Sequence, residues 1–191
     1  MQNLGLFGGS FDPVHLGHLL VAQAAREELA LNRLFLIPAA QSPFKPDRVP
    51  TPANERLRLL RLALAGKTDS EVDDQEIKRG GVSYTIDTVR DYTRRYPNAT
   101  LFYLVGADNV PQLTKWREAQ ELARLVEFVA IPRPGQAATP FPPPFRGRTL
   151  TGFPLGLSSS QIRERVKADL PIDHLVPAAV AEAIRNNRLY L

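Results

Sequence analysis

Cysteine is absent from the chain, so disulfides and thiolate metal sites are excluded. Lack of disulfides fits a reducing compartment. No apolar stretch approaches the roughly 20 residues that cross a bilayer. The opening MQNLGLFGG lacks the basic start and apolar core of a secretory signal, so a cytoplasmic location with no membrane partner is expected. Charge is nearly balanced: 24 Lys and Arg stand against 20 Asp and Glu, leaving +4. That mild excess suits anionic small molecules and is too diffuse for a nucleic-acid surface, which needs a dense basic patch. Tryptophan occurs once and histidine three times, which makes their positions informative.

What remains is the balance of an ordinary globular protein, with 43% hydrophobic and 23% charged residues. A length of 191 residues supports one domain with a full core and is short for two. Short apolar runs at Leu4–Phe7, Leu34–Ile37, Leu101–Val105 and Val126–Ile131 read as buried strands. Weaker strands are expected at Val72–Ile77 and Thr149–Phe153. Helical spacing appears over Leu16–Leu29, Glu55–Ala65, Ile86–Tyr96 and Glu118–Arg124, and near 159–168 and 177–187. Residues 39–52 and 132–147 are proline-broken and read as loops. Alternating strands and helices predict an α/β, Rossmann-like parallel sheet with helices on both faces. Ligands of such folds sit beyond the carboxyl ends of the strands, here just after Phe7, Ile37, Val105 and Ile131.

Residues 8–18, GGSFDPVHLGH, join the first strand to the first helix. Gly8 and Gly9 let backbone amides approach a ligand closely. Pro13 stiffens the start of the helix, whose terminal amides favour an anion. His15 and His18 are three apart and share the first turn, where both can donate to one group. A triphosphate is the natural guest, because imidazoles there can stabilise charge on an α-phosphate and a departing pyrophosphate. Zinc is the rival, but a third ligand is missing nearby, since the remaining histidine is His174. A plain glycine turn with two surface histidines is the bland alternative. The string resembles the signature of the nucleotidyltransferase superfamily with a His-x-Gly-His element. That resemblance implies that His15 and His18 contact ATP phosphates while the turn from Gly8 and Gly9 through Ser10 to Phe11 covers the nucleotide.

Residues 158–166, SSSQIRERV, open a later helix. Ser158 and Gln161 fit a capping box, and Ile162 and Val166 face the core. Ser159, Ser160 and Arg163 then share the helix end, a second anion site. A capping motif alone is common. The string also resembles the superfamily's Ser-(Ser/Thr)-x-x-Ile-Arg element, which implies ATP-phosphate contacts for Ser159, Ser160 and Arg163. The helices within 158–187 would then complete the ATP site of a single domain spanning 1–191.

Three features address the second substrate. Ser83-Tyr84-Thr85 starts a helix, Gly106-Ala107-Asp108 follows a strand, and Trp116 is the lone tryptophan. Trp116 and Tyr84 could stack on a heterocycle or pack in the core. Asp108 could hold ribose hydroxyls or cap a helix. Together with IPRPG and NNRLYL, these residues resemble the bacterial nicotinate-nucleotide adenylyltransferases over nearly the whole chain. The resemblance implies ATP and nicotinate mononucleotide as substrates. Tyr84, Thr85 and Trp116 would surround the nicotinate ring, with its carboxylate read by amides near Thr85. Gly106 would contact ATP, Asp108 would contact both ATP and the acceptor, and Arg133 would lie near adenine. Where that family often has Pro-Pro-His-Lys, this chain has Ser42-Pro43-Phe44-Lys45, keeping Lys45 for a phosphate and losing the histidine.

The implied chemistry needs no general base, because a 5′-phosphate is already anionic. His15, His18 and Arg163 would carry catalysis by positioning and charge stabilisation, with Mg²⁺ held mainly by ATP phosphates and no protein metal cage. A superfamily enzyme with another acceptor, or a nucleotide sensor without turnover, are the competing readings. Homo-oligomer formation is left open.

Overall fold

The computed structural model describes residues 2–43, 50–135 and 138–191. Lys45 and Phe44 lie outside these described residues. The strands are β1 (Gln2–Gly9), β2 (Arg33–Pro38), β3 (Ser70–Val72), β4 (Ala99–Gly106), β5 (Glu127–Ile131) and β6 (Gly147–Thr149). The helices are α1 (Leu16–Glu28), α2 (Ala53–Leu64), α3 (Gln75–Arg79), α4 (Thr85–Arg95), α5 (Ala119–Leu125), α6 (Ser159–Lys167) and α7 (Ala178–Asn186). The strands form one sheet in the order β3-β2-β1-β4-β5-β6, with every pairing parallel. The chain winds outward from β1 to β3, then returns to β1 and winds the other way. The switch point therefore lies between β1 and β4, where a doubly wound sheet opens a crevice.

Side-chain alternation along each strand feeds two cores. In β4, Phe102 and Leu104 join the core under α1, α2 and α7, while Leu101, Tyr103 and Val105 join the core under α4 and α5. Buried Leu59, Leu60, Ala63 and Leu64 of α2 and Val180, Ala181 and Ile184 of α7 fill the first. Ile86, Val89 and Tyr92 of α4 and Leu122 of α5 fill the second. Burial on both faces explains why the central strands read as continuous apolar runs.

Two strands lie earlier than the sequence suggests, each sharing one residue with its expected span. The expected strand over 72–77 ends at Val72, because the Asp73 carboxylate accepts from the Gln75 amide at 3.0 Å and turns the chain into α3. The expected strand over 149–153 ends at Thr149. The amides of Thr151 and Gly152 instead donate to the Glu28 carboxylate of α1, at 2.8 and 2.7 Å. The proline-rich stretch before β6 is anchored as well as exposed, since Phe145 is buried edge-on against Phe128. A nine-residue 3₁₀ segment over Ala107–Lys115, absent from the sequence reading, buries Val110 and Leu113 after β4.

Candidate active site

The turn after β1 is shaped by packing first. A Cβ at Gly8 would overlap the Tyr103 hydroxyl, and one at Gly9 would stand 3.1 Å from the Phe11 ring. Phe11 holds φ at +45°, with its ring buried edge-on against Phe7 and 4.9 Å from the His18 ring. Ser10 is gripped from below by Arg56, a fully buried side chain of α2. Its guanidinium donates to the carbonyls of Ser10, Thr51 and Ala40 at 2.8, 2.9 and 3.3 Å. The turn after β1 and the loop between β2 and α2 are thereby tied to one cation, which lies on the α2 stripe shared with Leu59, Leu60 and Ala63.

His15 caps α1 in an extended conformation, and its imidazole lies 3.8 Å from that of His18, centroid to centroid. The His15 amide donates to Nδ1 of His18 at 3.2 Å, so Nε2 of His18 carries the ring hydrogen. Burial, reinforced by the positive charge of Arg133, lowers the His15 pKa to about 4. Burial, then the neighbouring His15 and Arg133, also holds His18 well below its ordinary value. Both rings are therefore neutral near pH 7 in the free protein and act as N–H donors rather than fixed cations. The helix terminus offers less than expected, because the Leu16 amide donates to the Leu175 carbonyl at 3.0 Å.

Helix α6 brings its N-terminal end to this turn. Ser158 and Gln161 form the expected capping box, and Ile162 is buried. The Ser159 hydroxyl donates to the Pro13 carbonyl at 2.8 Å. Arg163 donates to the Asp12 carbonyl at 2.6 Å and to the Ser160 hydroxyl at 2.8 Å. The two constellations read from the sequence thus meet in space.

Two cavities open at the switch point, and Phe7, Ser10, Gly106 and Asn109 line both. The first, about 310 Å³, takes Phe11, His15, His18, Arg133, Ser159, Ser160 and Arg163. The second, about 470 Å³, takes Gly8, Gly9, Tyr84, Thr85 and Trp116, together with Lys115 and Arg117. Gly8 and Gly9, read as part of the nucleotide turn, face the second cavity. Asp108 lines neither; it accepts from Arg133 Nε at 3.0 Å instead of capping a helix. Asn109, one residue on, occupies the shared wall and carried no sequence signal. Trp116 and Tyr103 meet edge to face, and the Thr85 hydroxyl donates to the Tyr103 oxygen at 3.3 Å, which fixes the aromatic end of the second cavity. Among the described residues, no three His, Asp or Glu side chains converge to hold a metal ion. Nor is any described helix long and apolar enough to cross a membrane.

Sheet order, paired imidazoles and the α6 terminus define the class. Residues 6–165 match the family model described as cytidylyltransferase-like. A protein of Opitutus terrae named "Probable nicotinate-nucleotide adenylyltransferase" is 42% identical over 99% of this chain and 98% of its own. One of Bacillus licheniformis with the same name is 38% identical over 100% and 99%. The solved Plasmodium falciparum nicotinic acid mononucleotide adenylyltransferase complexed with NaAD superposes with a TM-score of 0.80 at 18% identity, covering 100% of this chain and 98% of that one, a likeness of fold. The chain belongs to the cytidylyltransferase-like family, and within it to the nicotinate-nucleotide adenylyltransferases.

Proposed function

We propose that the chain transfers AMP from ATP to nicotinate mononucleotide, giving nicotinate adenine dinucleotide and pyrophosphate in NAD biosynthesis. The observation that carries this reading is the pair of cavities sharing the Ser10–Asn109 wall. One is lined by phosphate-binding groups and the other by aromatic rings. A polyphosphate in the first and a mononucleotide in the second would face each other across that wall. An oxygen of the acceptor's 5′-phosphate attacks the α-phosphorus in line. The bond from that phosphorus to the bridging oxygen breaks, and pyrophosphate leaves with the electron pair. No proton need move, so orientation and charge stabilisation do the work.

Arg163, Ser159 and Ser160 hold the polyphosphate at the α6 end, while N–H groups of His15 and His18 meet the α-phosphate and the leaving oxygen. Arg133, paired with Asp108 in the free protein, would take the adenosine side. Tyr84, Thr85 and Trp116 hold the nicotinate ring, and Lys45 supplies a phosphate contact. Mg²⁺ carried by ATP would add charge neutralisation at the polyphosphate, beside Ser159, Ser160 and Arg163. The reaction belongs to the cytoplasm, and the helices of 158–187 complete the ATP site of one domain. A coupled assay with ATP and Mg²⁺, comparing nicotinate and nicotinamide mononucleotides, tests the reading. Faster dinucleotide formation from the nicotinate form is expected, and pyrophosphate release with neither overturns it.

A further inference from the structure

The ring of the acceptor must lie at the aromatic end of the second cavity, because its phosphate has to reach the shared wall beside His18. Arg117 stands at that aromatic end, its guanidinium carbon 4.7 Å from the centroid of the Tyr84 ring. Its side chain is 53% exposed and is therefore not committed to the core. Its contact with the following Glu118 is loose, at 3.7 Å. The Glu118 carboxylate is engaged from the other side by Arg90 of α4, which donates to it at 3.2 Å and to Glu121 at 2.8 Å. Glu118 is thus engaged by Arg90, while the Arg117 guanidinium lies over the Tyr84 ring at the cavity wall. Among the described lining residues, Lys115 and Arg117 are the cations and Glu76 is the acid. Glu76 is buried and accepts from the Thr88 hydroxyl at 2.6 Å, so its carboxylate is already engaged.

We propose that Arg117 determines acceptor specificity by pairing with the carboxylate on the nicotinate ring. The inference deepens the proposed function and rests on it. A planar guanidinium can grip a carboxylate through two parallel N–H donors. The amide of nicotinamide mononucleotide offers one oxygen and an NH₂ group whose hydrogens oppose those donors. Arg117 would thus add charge recognition to whatever amides near Thr85 provide.

The test is kcat/KM for both mononucleotides, at saturating ATP and Mg²⁺, in the native chain, Arg117→Gln and Arg117→Lys. Gln is expected to lower the nicotinate value roughly tenfold or more while the nicotinamide value changes less than about twofold. Lys, which keeps the charge without the fork, is expected to fall between. Thermal midpoints should match, since the side chain is half exposed. An unchanged selectivity ratio in Arg117→Gln, or an equal loss for both acceptors, overturns the inference and leaves the transferase reading standing. A native chain that turns over neither mononucleotide overturns both.

Discussion

The guanidinium of Arg163 donates to the carbonyl oxygen of Asp12 at 2.6 Å, across 151 positions of sequence. This bond joins the start of α6 to the turn after β1 and places a fixed cation beside the histidine pair. Replacing Arg163 with Ala should lower kcat by roughly 10²–10³, the effect of removing one charge-stabilising donor. Lys should restore only part of that, because it lacks the fork that spans Asp12 and Ser160. Steady-state kinetics with the two variants check this, and a variant retaining native kcat contradicts it.

His18 presents Nε2–H because its Nδ1 accepts from the His15 amide. His18→Ala should therefore reduce kcat by about 10² with little change in the acceptor's KM, since the missing donor acts on the developing charge. Asn, which keeps a short N–H donor, should lose less. An unchanged kcat in His18→Ala would remove this side chain from the chemistry.

The same burial makes stability depend on pH. His15 titrates near 6.5 when unfolded and at about 4 when folded, so its neutral form is the one the fold retains. Above the unfolded value this group has no pH-dependent effect. As pH falls from 6.5 toward 4, the unfolded chain takes up the proton first and stability declines, by up to about 3 kcal/mol from this group. Urea midpoints of the native chain and His15→Gln between pH 7.5 and 4.5 measure it. The variant should show the shallower dependence, and parallel curves would show that the ring is not held neutral by burial.

Much of the sheet was legible because β1, β2, β4 and β5 are buried on both faces and so appear as unbroken apolar runs. The strings GGSFDPVHLGH and SSSQIRERV stood out because glycine, histidine and capping serine have local conformational and bonding roles. Their convergence was not derivable from spacing, since it depends on α6 returning to β1. Other features were illegible for physical reasons. A side chain at Gly8 would overlap the Tyr103 hydroxyl, a contact invisible along the chain. Asp108 is the residue the sequence marks, and the 3₁₀ turn brings Asn109 rather than Asp108 to the cavities. Arg56 sits in NERLRLLRL among arginines that are exposed or partly so, and only its burial sets it apart.

That buried arginine carries its own prediction. Arg56→Met removes the donors to Ser10, Ala40 and Thr51 and leaves three carbonyls without them. A loss of roughly 3 kcal/mol in unfolding free energy is expected. Denaturant unfolding measures this, and a loss under about 1 kcal/mol would show that water replaces the guanidinium at no great cost.

Transfer of the α-phosphorus itself is the most direct test of the proposed chemistry. ATP labelled at the α-position is incubated with nicotinate mononucleotide, Mg²⁺ and the native chain, and products are separated by chromatography. The expected result is label in nicotinate adenine dinucleotide, with one pyrophosphate released for each dinucleotide formed. Label remaining in ATP, or appearing as free AMP whether or not the acceptor is present, would contradict it.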